Sequence, residues 1–274
     1  MTQGIMDVAL YGDESHFNEV VTYAFIIIPQ KKHQLVESYV NKVKKRFGVD
    51  EGARIHCREL FNKHARSKTY FSELTNEMVL KFLDEIMIQS FIAGARGWVG
   101  YMDARKAPDS LLFDSENAAK PLTLHLDNLK TKMHLCFHAA IGPLTHIFPP
   151  TRVKSYVDGD KTKILFLNQK RQVDNLRSFF PVEHKNEMFF SEPVHGLKPL
   201  FLDLADILAY AAARGLAEAS TGNKDSFISM VKSLDPGYSE VVFDLSSAGG
   251  AMFNIRAFDP DDRVKSYINQ FIQH

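Results

Sequence analysis

Six acids in this chain stand where regular elements would hold them rigidly: Asp13 and Glu14, Asp158 and Asp160, and Asp203 and Asp206. Carboxylate oxygens suit hard divalent cations, and Mg²⁺ commonly takes one or two of them while keeping several waters. A pair of such ions would activate a water nucleophile and stabilise both the attacking and the leaving oxygen of a phosphodiester. This chemistry gathers acids in space, so a wide separation in sequence is no objection to it. Asp203 and Asp206 are three residues apart in an apolar run, and a helix there would turn both broadly the same way. Taken singly, an Asp at a strand end is better explained by an Asx turn, and Asp160, after Gly159, is the most open to that explanation. Asp203 has capping or solvation of the helix as its plain role. Asp206, among Leu204, Ala205, Ile207 and Leu208, is the least comfortable as a featureless buried acid.

The elements that must position these acids follow from hydrophobic periodicity. Residues 7–11 and 20–28 read as two strands, the second a continuous apolar run closed by Pro29, with 12–18 as the turn of an antiparallel hairpin. Leu35, Val36, Tyr39, Val40, Val43 and Phe47 give a helix over about 31–47, with Gly48 as its stop. A short element follows at 55–61. Leu74, Met78, Phe82, Leu83 and Ile86 then mark a helix over about 73–90. A glycine-bent strand is expected at 91–102, a helix at about 122–140, a strand at 152–157 and a helix at about 163–179. A short strand at 187–190 precedes a buried helix at 200–216, then a helix near 225–233, strands near 240–245 and 251–257, and a terminal helix. No repeat or low-complexity linker divides the chain. The expected architecture is therefore one α/β domain over 1–274, a mixed sheet flanked by helices, with a helical insertion at about 30–90 between strands 2 and 3 and a C-terminal extension at about 217–274.

The ordered motifs carry a resemblance. Tyr11-Gly12-Asp13-Glu14-Ser15 is similar to the opening Tyr-x-Asp-Glu-Ser motif of the domain of unknown function 3800 family. Ile55-His56-Cys57-Arg58-Glu59-Leu60 looks like that family's His-containing insertion motif. Tyr156-Val157-Asp158 and Leu204-Ala205-Asp206-Ile207-Leu208-Ala209-Tyr210 match in turn, so the set covers about 8–215 in order. His16 departs from the glycine frequent at its place. The family resembles the ribonuclease H-like superfamily, whose members bind divalent metal through acids on the first strand, the fourth strand and a later helix. The resemblance thus implies Mg²⁺ or Mn²⁺ held by Asp13, Asp158 and Asp206, with Glu14 as a direct or outer participant and Asp160 as the substitute for Asp158 in another register. It also implies a nuclease activity on nucleic acid, with a fold-retaining, inactive binding or regulatory module as one alternative. A phosphoesterase for a small nucleotide is the other.

Other groups have weaker claims. His56 and Glu59 would approach each other on a helix, and His56 then serves as phosphate ligand, water positioner or proton carrier. His134 and His138, one helical turn apart with His125 upstream, permit a shared metal but form no sharp zinc motif. Cys57 and Cys136 read as small core residues, and Ser15 as a turn residue. The basic residues from Lys31 to Arg46 read as a solvated helix face, whereas Lys161, Lys163, Lys170 and Arg171 are closer to the acid-bearing turn. Arg214 would close a charge network or a phosphate site, and Trp98 and Tyr101 pack in a sheet or stack on bases.

Composition sets outer bounds. Lys and Arg number 33 and Asp and Glu 33, so no global field draws nucleic acid, and any such partner must meet a local basic groove. The 2 cysteines do not supply a structural zinc site and point to a reducing, cytoplasmic setting. Neither a signal peptide nor a bilayer-spanning run is expected, so no membrane partner is expected either.

Overall fold

A computed structural model of the chain describes residues 7–105, 109–113, 122–133, 136–137, 140, 152–157, 189–190, 200–219 and 242–244. Its first strand, β1 (Asp7–Phe17), pairs antiparallel with β2 (Val20–Pro29) from Val8↔Pro29 to Phe17↔Val20. Residues 12–17, expected as a turn, are therefore strand. Their polar composition resembles a loop, but the apolar run of β2 continues past it and carries the pairing with it. The turn is confined to Asn18 and Glu19, both at positive φ (45° and 67°), as a two-residue hairpin with right-handed strand twist requires.

Between β2 and β3 (Arg96–Asp103) come a 3-10 turn (Gln30–Lys32) and four α-helices: α1 (His33–Arg46), α2 (Cys57–Leu60), α3 (Lys63–Arg66) and α4 (Asn76–Ile92). This is the expected insertion. Thr75 caps α4 by accepting the Met78 N–H at 3.2 Å. Phe91 and Ile92, expected in the strand, close α4 instead, and the chain turns over 93–95 before β3 begins. Within the expected stripes, Leu35 and Met78 are exposed, and Val79 takes the core place on α4.

The main sheet runs β7-β6-β1-β2-β3-β8, where β6 is Arg152–Val157, β7 is Phe189–Phe190 and β8 is Val242–Asp244. β1, β2 and β3 are antiparallel in sequence, β6 lies parallel to β1, β7 parallel to β6, and β8 parallel to β3. A separate two-stranded ribbon joins β4 (Ser110–Phe113) to β5 (Leu122–His125). Thus 122–125 is strand where helix was expected; helical residues begin only at 129. The expected elements at 163–179, 225–233, 251–257 and the terminus lie outside the described residues.

Alternation along β1 and β2 sends Ala9, Tyr11, Ala24, Ile26 and Ile28 into one core with Val36, Val40, Phe82 and Ile86. Leu204 and Leu208 of the long helix α5 (Leu200–Ala219) join this core. The opposite face carries Tyr23 and Phe25, whose rings meet Phe137 at 5.0 and 5.5 Å between centroids. Gly97 lets α5 come close, since a Cβ there would stand 2.6 Å from Leu208 Cδ2. Among the described residues no helix is long and apolar enough to cross a membrane.

Candidate functional site

Asp13 lies inside β1, opposite Ala24 of β2, and is buried. Strand alternation places it on the face covered by α5 and places Glu14, also buried, on the other. Asp13 Oδ1 accepts the Glu14 N–H at 2.8 Å. Helix α5 is pinned to the same end of the sheet, because Thr22 Oγ1 donates to the Ala209 carbonyl at 2.8 Å. Thr22 pairs with Ser15, two residues beyond Asp13, and Asp206 sits three residues before Ala209 on the helix. These contacts carry Asp206 to the Asp13 end of the sheet.

The insertion meets α5 through both helix acids. Asp203 Oδ1 accepts from Arg54 Nε at 2.8 Å and from Arg54 Nη2, and Oδ2 accepts the Ile55 N–H at 2.9 Å. Asp206 Oδ2 accepts the Cys57 N–H at 2.6 Å. Asp203 is therefore no solvated cap: it is 2% exposed and ties the insertion down. Burial raises its pKa above the usual carboxylate value, with Arg54 and Lys44 pulling the other way. The Cys57 thiol is driven well up, first by burial and then by Asp206, Asp13 and Asp203. The buried sulfur thus stays protonated and inert as a nucleophile.

Beside this cluster opens a cleft of about 930 Å³. Glu14 to Phe17 of β1, His56, Arg58, Phe61 and Asn62 of the insertion, Leu129, Lys130 and Met133, and Asp206 and Tyr210 of α5 line it. Glu14 and Asp206 therefore reach one space although Glu14 and Asp13 leave opposite faces of β1. His56 precedes α2 in an extended conformation rather than on the expected helix, and its Nδ1 stands 3.7 Å from Glu59 Oε1.

Asp158 and Asp160 lie outside the described residues. Their chain neighbour Val157 pairs with Gly12, the residue before Asp13, so β6 ends beside the acid-bearing part of β1. Among the described residues no group of three or more His, Cys, Asp or Glu side chains is arranged to hold a metal ion.

Several side chains take places that sequence alone misses. Lys44, on the helix face expected to be solvated, is fully buried and donates to the Glu51 and Ala53 carbonyls at 2.8 and 2.7 Å. Burial lowers its pKa. Arg214 lies 5.5 Å from the Phe17 ring and 5.4 Å from the Phe61 ring, and Phe61 stacks on Tyr210 with centroids 5.1 Å apart and planes within 9°. No local spacing announces such contacts, because Arg54 and Asp203 are 149 positions apart and the aromatic cluster draws on three elements. Ser15 is strand rather than turn, and Trp98 is buried in β3. Cys57 and Cys136 are buried free thiols. His125 is exposed, while His134, His138, Lys161, Lys163, Lys170 and Arg171 lie outside the described residues.

Comparison with protein-family models, with curated proteins and with solved structures returns no match for this chain.

Proposed function

We propose that this chain is a divalent-metal-dependent hydrolase of nucleic-acid phosphodiesters built on a ribonuclease H-like sheet, as its resemblance to the domain of unknown function 3800 family implies. The observation that carries the reading is the Thr22–Ala209 bond that brings Asp206 of α5 to the Asp13 end of the sheet, next to a solvent-open cleft. The sheet order supports it: the strand after the insertion-bearing meander lies parallel to β1 and ends level with Gly12. Asp158, which follows β6 in the sequence, is the third acid of the proposed set.

The donor set suits Mg²⁺ or Mn²⁺, since it consists of hard carboxylate oxygens on rigid elements. Asp13, Asp158 and Asp206 would hold the metal, with Glu14 reaching the same cleft and Asp160 as the substitute for Asp158. When bound, the metal supplies Lewis acidity toward phosphoryl oxygens. In the hydrolysis a water oxygen bonds to phosphorus, the bond from phosphorus to the leaving sugar oxygen breaks, and that oxygen takes a proton. His56, at the cleft and within reach of Glu59, is placed to carry that proton. Arg58 and Lys130 orient the phosphate.

A hydrolysis screen over single-stranded DNA, duplex DNA, RNA, an RNA–DNA hybrid and a small phosphodiester tests the reading. Cleavage of at least one nucleic acid is expected only with Mg²⁺ or Mn²⁺, and is expected to vanish in folded D13A, D158A and D206A variants. Undiminished cleavage in all three overturns the site. Metal-insensitive binding without cleavage selects an inactive binding module, and cleavage restricted to small nucleotides selects the other phosphoesterase reading.

A further inference from the structure

The cleft has a second chemistry next to its acids. Phe61 and Tyr210 form a parallel ring pair, both half-buried and both lining the open space. The Arg214 guanidinium bridges from Phe61 to Phe17, holding two rings that come from different elements in one wall. Arg58 and Lys130 line the same cleft, are exposed, and have no acidic partner among the described residues. A stacked aromatic pair beside these exposed cations matches a ligand with π-faces and phosphates. Its volume is at the upper end of the roughly 300–1,000 Å³ seen for ligand pockets, ample for an unstacked nucleotide.

We propose that the Phe61–Tyr210 wall is a base-stacking subsite that selects single-stranded nucleic acid, with Arg58 and Lys130 meeting the flanking phosphates. In a duplex the bases are stacked on each other and show only their edges, so the aromatic wall has nothing to grip. A single strand can turn a base out onto it, and such stacking tolerates any base because every base has a π-face. Arg214 keeps Phe61 and Phe17 in position through its two ring contacts and is a positioning residue. The subsite rests on the phosphodiester reading only for its assignment of Glu14 and Asp206 as the acids facing the scissile phosphate; binding itself needs neither acid.

The test is fluorescence anisotropy on the full-length protein in EDTA, which removes hydrolysis from the measurement. Labelled single-stranded DNA, single-stranded RNA and their duplexes are the probes. Both single strands are expected to bind at least about tenfold more tightly than the duplexes, and F61L or Y210L to weaken single-strand binding by about tenfold. Because these rings are half-buried, R58Q and K130Q serve as fold-neutral controls. Each is expected to reduce affinity and to flatten its salt dependence. Duplex preference, or single-strand affinity unchanged in F61L, Y210L, R58Q and K130Q alike, overturns the subsite. Metal-dependent cleavage of duplex alone would also overturn it while leaving the hydrolase reading intact. Conversely, ring-dependent single-strand binding with no cleavage in any metal sustains the subsite and removes the hydrolase reading.

Discussion

Asp206 accepts the backbone N–H of Cys57 at 2.6 Å, so the helix acid assigned to the metal also fastens the insertion to α5. The two roles separate by substitution. D206N keeps an oxygen that can accept the amide, whereas D206A leaves a buried donor unsatisfied, at a cost of about 1–3 kcal/mol. Urea denaturation is expected to show D206A destabilised by that amount and D206N by less. Isothermal titration is expected to show Mg²⁺ or Mn²⁺ affinity reduced in both variants and in D13A. Equal affinity in D13A, D206A and the parent would remove these two residues from the metal site.

Arg54 and Asp203 form a partly solvated pair, since the Arg54 side chain is 40% exposed and Asp203 is not. D203A removes the carboxylate that receives Arg54 and the Ile55 N–H, and about 2 kcal/mol is expected after allowing for solvent screening of the arginine. R54A should cost less than D203A if the backbone bond from Ile55 remains. A larger loss in R54A would mean that the guanidinium, rather than the amide, holds the segment.

Lys44 tests how the insertion is shaped. Its ammonium satisfies two carbonyls, at Glu51 and Ala53, just ahead of Arg54. K44M keeps the stem but strands both acceptors, and a loss of about 2–4 kcal/mol is expected. Hydrogen exchange should accelerate first in residues 50–57. Protection there equal to the parent's would show that Lys44 plays no part in shaping the loop.

Asp84 supplies a pH signature. Burial raises its pKa from 3.8 to about 6, and its Oδ1 has no hydrogen-bond partner among the described residues. Because the folded pKa lies above the unfolded one, the folded state binds the proton more tightly. The stabilisation is complete below about pH 4 and is lost as pH rises through about 6. D84N is therefore expected to stabilise the protein at pH 7.5, on the order of 1 kcal/mol after screening of this half-exposed group, and to change little at pH 4. Thermal melts at the two pH values check the sign.

Gly12 lies against two large rings, and a Cβ there would stand 2.5 Å from Phe25 Cε1 and 3.0 Å from Tyr23 Cε1. G12A must displace Phe25, with an expected cost of about 1–3 kcal/mol. Since Gly12 also pairs with Val157, the variant should weaken metal binding more than a distant mutation of equal destabilisation. Calorimetry on G12A against a matched core variant decides it.

The strands at 20–29 and 152–157, the insertion of helices between the second and third strands, and the long helix from 200 were legible in the sequence. Their apolar runs and 3.6-residue stripes are local properties, and the sheet and core reward them where they occur. Asp13 and Asp206 could be nominated for the same reason, as acids in or beside apolar elements. What tertiary structure decided was partnership. Residues 12–17 have the composition of a turn, yet β2 offers them a full ladder, and pairing outweighs turn preference. Lys44 has the character of a surface residue until two carbonyls of the following loop close over it. Asp203 becomes an anchor only because Arg54 arrives from the insertion, and the Phe61–Tyr210 wall exists only because α5 packs beside α2. Such contacts join segments whose spacing in the chain carries no periodic signal, so their energy depends on the folded arrangement and is absent from any local stretch of sequence.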